Sequence, residues 1–514
     1  MAEEKHIIKK AIVEIYVPSA NSAMDLQNKT MSFFKEKICP LIEKIVAKYS
    51  NEGETIRIDK LELDFENFNP QNSNDTELRK LEQQIEEKLV KLITEEQKNN
   101  FSGETVTDVK KIPKEKADEE LFIHLLRTGS LPWWAKTEQS ISLEALAQKI
   151  LAKSSGSIIK ELSAAIRISA VRKRVANKLS SESVEKIIAL AFSSSADFLK
   201  YVREILNVTK DDFPFSENIR KELYEYILKY PVSSSYTMQL FIAGFIKEKN
   251  DLSLAEKLYK LSNINSSDKT AETIKQGIAD TDEHFSNQIK KMFNVKDVKL
   301  FFSSEENNEV KEKTVTEQKT NVLRPNNKKD LINEEDFSHE QIELYEETGD
   351  YFIKNSGMII LAPYLSALFT ELDLCDGKTF ISEEAKERAV YLLQYLATGK
   401  EEDFEEHEMV LNKILCGVEI GAPLTLQFII SEKEKEECLG LLQAVATNWP
   451  ALKGTSGEGM RDTFFMRDGI LEQQSNGWNL KIEKTTIDIL LDKLPWGISI
   501  LQMPWSKEMI FVEW

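Results

Sequence analysis

The spacing of hydrophobic residues along this chain changes period several times. In AIVEIYV, Ala11, Val13, Ile15 and Val17 alternate with Ile12, Glu14 and Tyr16, the period of two that suits a strand, and Pro18 and Ser19 end it. Ser19 or Ser22 can then cap a helix whose inward stripe is Leu26, Phe33, Phe34, Ile38, Leu41, Ile42 and Ile45. Asn51 and Gly53 supply a turn into TIRIDKLELDFE, which alternates through Ile56 and Ile58. After Asp59-Lys60 it alternates again, one position out of phase, through Leu61, Leu63 and Phe65, as at a bulge. A charged helix from about Asp75 to Lys98 carries Leu78, Leu81, Ile85, Leu89, Leu92 and Ile93 on one face. Together these predict an N-terminal β-α-β-α unit over residues 1–98.

Residues 99–117 hold few large apolar side chains and read as a flexible linker. Next, LFIHLLRTGSLPWWA is a short apolar helix that stops at Gly129, followed by a Pro-Trp-Trp knob. Residues 118–302 put apolar positions three or four apart almost throughout, punctuated by serines, Pro214 and Pro231, which predicts a middle of short, hairpinned helices. Residues 303–335 are rich in Asn, Lys, Glu and Thr and predict a disordered tether. From 336 to 514 a compact helical domain is expected, with YFIKNSGMIILAPYLSALFTEL, AKERAVYLLQYLATG, HEMVLNKILCG and EKEECLGLLQAVATNWPAL as helices. It ends in a β-rich cap, a GILEQQ/WNLKIEK hairpin with GISILQM and EMIFVEW as further strands. The fold class is α+β and mostly helical.

Composition narrows the partners. Against 86 Asp and Glu stand 67 Lys and Arg, a net charge of −19, which argues against duplex DNA or an anionic membrane as the main partner and for protein. Cys39, Cys375, Cys416 and Cys438 lie far apart without a Cys-x-x-Cys and read as reduced thiols of a cytosolic protein. MAEEKHIIKK has no signal-peptide core, and no window approaches a spanning helix, so neither secretion by the general route nor a bilayer span is expected.

Chemistry-bearing patterns are sparse. His407-Glu408 begins a zinc-protease helix, but Leu411 stands where the second imidazole belongs. Phosphate-binding, dinucleotide and nucleophile-elbow motifs are missing, so no catalytic, cofactor-binding or metal residue is expected. A basic cluster, Arg167, Arg172, Lys173, Arg174 and Lys178, reads as a helix surface pairing with Glu182, Glu185 or solvent. Trp133, Trp134, Trp496, Trp505 and Trp514 admit two readings, core anchors or partner-docking residues, and both stay open. Pro495 and Pro504 preset φ before two of them and so aim their indoles.

In residues and in order, the chain resembles the tape measure proteins of contractile injection systems, phage-tail-like particles that drive a tube through a membrane. The resemblance rests on HIIKKAIVEIYVPS, DLQNK and IRIDKLELDF at the start, and on LPWWA (131–135). At the finish it rests on NSGMIILAPYLSALFTEL (355–372), RAVYLLQYLATGKEEDFEEHEMVLNKILCG (388–417), NWPALKGTSGEGMRDTFFMRDGIL (448–471) and LDKLPWGISILQMPWSKEMIFVEW (491–514). It implies a structural, non-enzymatic role without cofactors: setting inner-tube length, with the ends held by inner-tube, baseplate or hub, and cap proteins. It also implies cytoplasmic assembly followed by residence in the particle, no nucleic-acid or direct membrane contact, and self-association inside the tube as an open point. The other role compatible with the same pattern is an assembly chaperone or terminal adaptor that nucleates the tube or baseplate without measuring.

Overall fold

A computed structural model gives the architecture. It describes residues 8, 11–14, 29–49, 54–58, 60–63, 75–99, 109–135, 141–153, 155–192, 199, 203, 213–229, 245, 248–249 and 350–514. The tether expected at 303–335 and the helical pattern at 250–302 lie outside the described residues. The chain divides into two compact units, one formed by residues 1–124 and 131–139, the other by 125–130 and 140–514.

In the first unit, a π-helical turn at Phe34–Ile38 runs into α1 (Cys39–Tyr49), which packs on α2 (Asp75–Asn99). Ile38 and Ile45 meet Leu81, Ile85 and Leu89 in a small buried core, the stripes that the 3.6 period marks. Lys44–Glu82 and Lys48–Glu86 pair across the rim at 2.7 and 3.0 Å. β1 (Glu54–Ile58) is where the alternation places it, and its antiparallel partner is β2 (Val109–Pro113), with Thr55 opposite Ile112.

Two expectations change here. Residues 109–117, expected within the linker, form β2 and the first turn of α3 (Lys114–Thr128). The ladder supplies what composition lacks, because β1 satisfies the backbone of a strand too polar to announce itself. Ala11–Glu14, expected to open a strand, are exposed and outside any ladder; the rest of that segment lies outside the described residues. Alternation makes a strand possible, but only a paired edge makes it one.

The second unit begins with short helices: α4 (Leu143–Lys153), α5 (Gly156–Ala165), α6 (Ser169–Lys178), α7 (Ser181–Ala191) and α8 (Phe213–Lys229). Serines start three of them: Ser142 accepts from the Ala145 amide, Ser155 from Ile158 and Ser180 from Ser183. Glu144 on α4 then accepts from the Ser180 hydroxyl at 2.6 Å and from the Ser183 hydroxyl at 2.8 Å, tying α4 to the start of α7.

After β3 (Asp350–Ile353) come a 3-10 helix (Ser356–Tyr364), α9 (Leu365–Glu371), α10 (Glu383–Thr398), α11 (Val410–Leu415), α12 (Glu432–Asn448) and α13 (Gly457–Phe464). From Ala389 to Ala397 every residue of α10 is buried, so it is the axis about which the others pack. Ser431 and Glu434 form a full capping box at the head of α12, and Arg388 of α10 clasps Glu434. The cap is a five-stranded sheet in the order β3-β4-β5-β7-β6, from β4 (Gly469–Gln474), β5 (Gly477–Ile482), β6 (Ile500–Gln502) and β7 (Met509–Glu513). The expected β4–β5 hairpin forms, and the two further strands expected after it pair antiparallel as β6 and β7. The edge strand β3, expected as helix, and the parallel β5–β7 pair do not follow from local pattern. Leu471, Leu480, Leu501 and Ile510 turn inward onto the helices.

Candidate functional site

The structure distributes the five singled-out tryptophans. Trp133 and Trp134 lie half-buried in a 3-10 turn of the first unit (Trp133–Ala135). Arg57 of β1 spreads its guanidinium 3.9 Å from the Trp134 ring centroid while bonding Glu120 at 2.6 Å. A stacked cation of this kind contributes about 0.5–2 kcal/mol.

Trp496, Trp505 and Trp514 form three contacts rather than one patch. The Trp496 indole N–H donates to the Ile360 carbonyl at 3.1 Å, and its ring meets Tyr364 edge-on at 5.1 Å and the buried Trp449 at 6.4 Å. Trp505 donates to the Leu415 carbonyl at 2.8 Å beside Phe369 and Phe380. Trp514 donates at 3.1 Å to Asp488, which also pairs with Arg467 at 3.3 Å. Trp449 and Trp478 donate to the Leu490 carbonyl and the Glu508 carboxylate. The indole nitrogens of these five C-terminal tryptophans are thus engaged inside the chain. What Trp496, Trp505 and Trp514 leave half-buried is ring surface.

The basic cluster corrects the surface reading. Glu182 and Glu185 pair with Lys186 and Arg203 instead. Arg172 is buried and donates to the carbonyls of Ile166 and Arg167 at 3.1 and 2.6 Å. Arg174 is 1% exposed. Its Nε lies 3.2 and 3.1 Å from the two oxygens of Glu406, and its Nη2 lies 2.9 Å from Oε1. Its remaining hydrogens go to the carbonyls of Leu126, Arg127 and Gly421 at 3.0, 2.9 and 2.6 Å. Lys413 completes the group, donating to Glu406 Oε1 at 2.6 Å and to the carbonyls of Ile420 and Ala422 at 2.8 and 2.7 Å. Nearby, Lys178 donates to the Tyr391 hydroxyl at 2.8 Å.

A signal for this was present. Val171, Arg174, Val175 and Lys178 recur at helical spacing on one face of α6, so two cations occupy the inward stripe. The local fold leaves room: Gly129 ends α3 at φ +69, and a Cβ there would sit 2.3 Å from Glu406 Oε1. Electrostatics follow from burial. It pushes Lys413 down to about 8, against the opposing pull of Glu406. It also pushes the Glu406 carboxyl up, but Lys413 and Arg174 outweigh it and hold Glu406 below the usual carboxylate range.

Beneath this lies a buried amide cluster. Asn355 donates to Asn412 Oδ1 at 2.9 Å, and Asn412 donates to Gln394 Oε1 at 3.0 Å. His407 is buried beside it in the 3-10 turn Glu406–Met409, and burial pushes its imidazole below its ordinary value. Among the described residues, no three His, Cys, Asp or Glu side chains gather as a metal site requires, and no helix is long and apolar enough to cross a membrane.

Charged and aromatic side chains in this molecule join segments that lie far apart in the chain. The profile of the contractile injection system tape measure proteins matches residues 5–514, and the chain belongs to that family. Tape measure proteins of these systems lie within the particle and interact with tube and baseplate components. No curated protein and no solved structure matches the chain.

Proposed function

We propose that this chain sets the length of the inner tube during assembly, held at its ends by baseplate or hub and cap proteins while its middle spans between them. The observation that carries the reading is the family match along the whole chain. The physical constraint is that a compact body cannot report a distance. A globule of this length has a radius of gyration of about 24 Å, whereas the same residues in one helix reach roughly 770 Å. The span must therefore be drawn out, and the stretch with the fewest large apolar groups, 303–335, resists that least. In this reading the half-buried rings of Trp133, Trp134, Trp496, Trp505 and Trp514 are the docking contacts. The role needs no catalytic residue, and it places the chain in the cytoplasm until the particle closes around it.

A second reading has support in the short helices α4–α8, where α4 and α5 pack on α7 and α6 packs on α8 instead of running on as a rod. On that reading the protein is a chaperone or terminal adaptor that nucleates the tube or baseplate. Removing about 36 residues between positions 255 and 290 separates the two: a ruler that holds those residues as helix shortens the tube by up to about 54 Å, in whole-ring steps. An adaptor changes particle yield and leaves length alone.

A further inference from the structure

The second unit holds two apolar cores with a charged seam between them. Among the described residues, the C-terminal core runs from Ile353 to Ile510 and includes no side chain of α4–α7. Those helices bury their own residues, among them Ala147, Leu162, Val175 and Ile187. The bonds that cross are polar. Arg174 reaches Glu406 and the Gly421 carbonyl, Lys178 reaches Tyr391, and the Leu143 amide donates to Glu405 Oε2 at 3.4 Å. Burial pushes the Glu405 carboxyl up, against the opposing pull of the hydrogen bonds it accepts.

A shared apolar core and an ionic seam behave differently under load. Pulling apart a shared core exposes hydrocarbon over the whole contact and unfolds both sides together. Here separation breaks a small set of directional bonds and returns charges to water, which recovers part of their desolvation cost. Contacts of this polar kind between separately cored parts allow the parts to move relative to one another.

We propose that this seam is a latch: α4–α8 swing away from the C-terminal domain as one folded body when Arg174 and Lys178 leave Glu406 and Tyr391, while both apolar cores stay closed. Glu406 is the keeper, because among these crossing groups it accepts from cations on both sides, Arg174 from α6 and Lys413 from α11. The latch does not depend on whether the protein measures length.

Hydrogen exchange on the full chain, read by mass spectrometry, tests it. In Arg174→Met, peptides at the seam (126–130, 405–409 and 420–422) are expected to exchange on the order of a hundredfold faster, as for a buried charge left without its partner. Peptides over 146–151, 184–188 and 390–396 should keep wild-type protection. Seam exchange unchanged, or seam and cores losing protection together, overturns the latch. The wild-type chain in low urea makes the same distinction even if the variant does not fold. A seam opening with a smaller urea dependence than either core supports the proposal, and one shared dependence overturns it.

Discussion

Arg174 and Glu406 stand 232 positions apart in the chain and meet in a two-pronged ion pair with side chains 1% and 7% exposed. The pair joins the helical middle to the C-terminal domain, so at least this part of the middle is docked rather than drawn out. Its replacement by an uncharged partner should be costly. Truncating one member of a buried pair typically costs about 3–5 kcal/mol, far above the ~0–1 kcal/mol of an exposed pair. Glu406→Gln should therefore weaken the closed seam much more than Glu182→Gln, whose partner Lys186 is exposed. Seam-peptide exchange in the two variants makes the comparison.

The seam should respond to pH in two windows. Glu406 titrates below its ordinary range in the closed state, so its stabilisation is complete above that range and is lost as pH falls through the lowered value. Lys413 is pushed down to about 8 in the folded chain, against 10.5 when unperturbed. Between these values the unfolded chain binds more protons, so this group favours the folded state increasingly as pH rises. Urea midpoints at pH 7 and pH 10 should show that rise in the wild type relative to Lys413→Met. Equal shifts in both chains would mean that Lys413 does not set the response.

Two glycines test the packing. Gly129→Ala combines a left-handed backbone with a Cβ 2.3 Å from Glu406 Oε1. It should cost more than the ~1–2 kcal/mol of left-handed strain alone. A smaller loss in denaturant unfolding would mean that Glu406 lies elsewhere. Gly477, at φ +138 after the hairpin turn, leaves 2.1 Å between an added Cβ and the Met509 carbonyl. Gly477→Ala should loosen the parallel β5–β7 pair and lower the near-ultraviolet circular dichroism to which Trp478 contributes.

The terminal tryptophans should differ in what they contribute. Trp505→Ala removes an indole wedged against Phe369 and Phe380 and should cost about 3–5 kcal/mol. Trp514→Phe keeps a ring but takes a donor from Asp488, which still has Arg467 and the Thr485 amide, so about 1–2 kcal/mol is expected. Urea unfolding followed by tryptophan emission checks both. Equal losses would mean that Trp514 is as much a core residue as Trp505.

Local pattern carried most of the helices. Ile38, Ile45, Leu81, Ile85 and Leu89 announce their faces by spacing. The β4–β5 hairpin was legible because Ser475-Asn476-Gly477 marks a turn between two strand-like runs. What stayed hidden was non-local. β2 has no apolar run of its own and exists because β1 is there to pair with it. β3 is four residues long and leans on β4 from more than a hundred residues away. Arg174 reads as a surface charge until Glu406 is brought to it, and the cue was only its place on the same stripe as Val171 and Val175.

Whether residue count becomes tube length is decided by particles assembled with about 36 residues removed between positions 255 and 290. Tubes measured by electron microscopy should be shorter, by up to about 54 Å where the removed residues span the tube as helix, in whole-ring steps. Tubes of unaltered length would contradict the ruler.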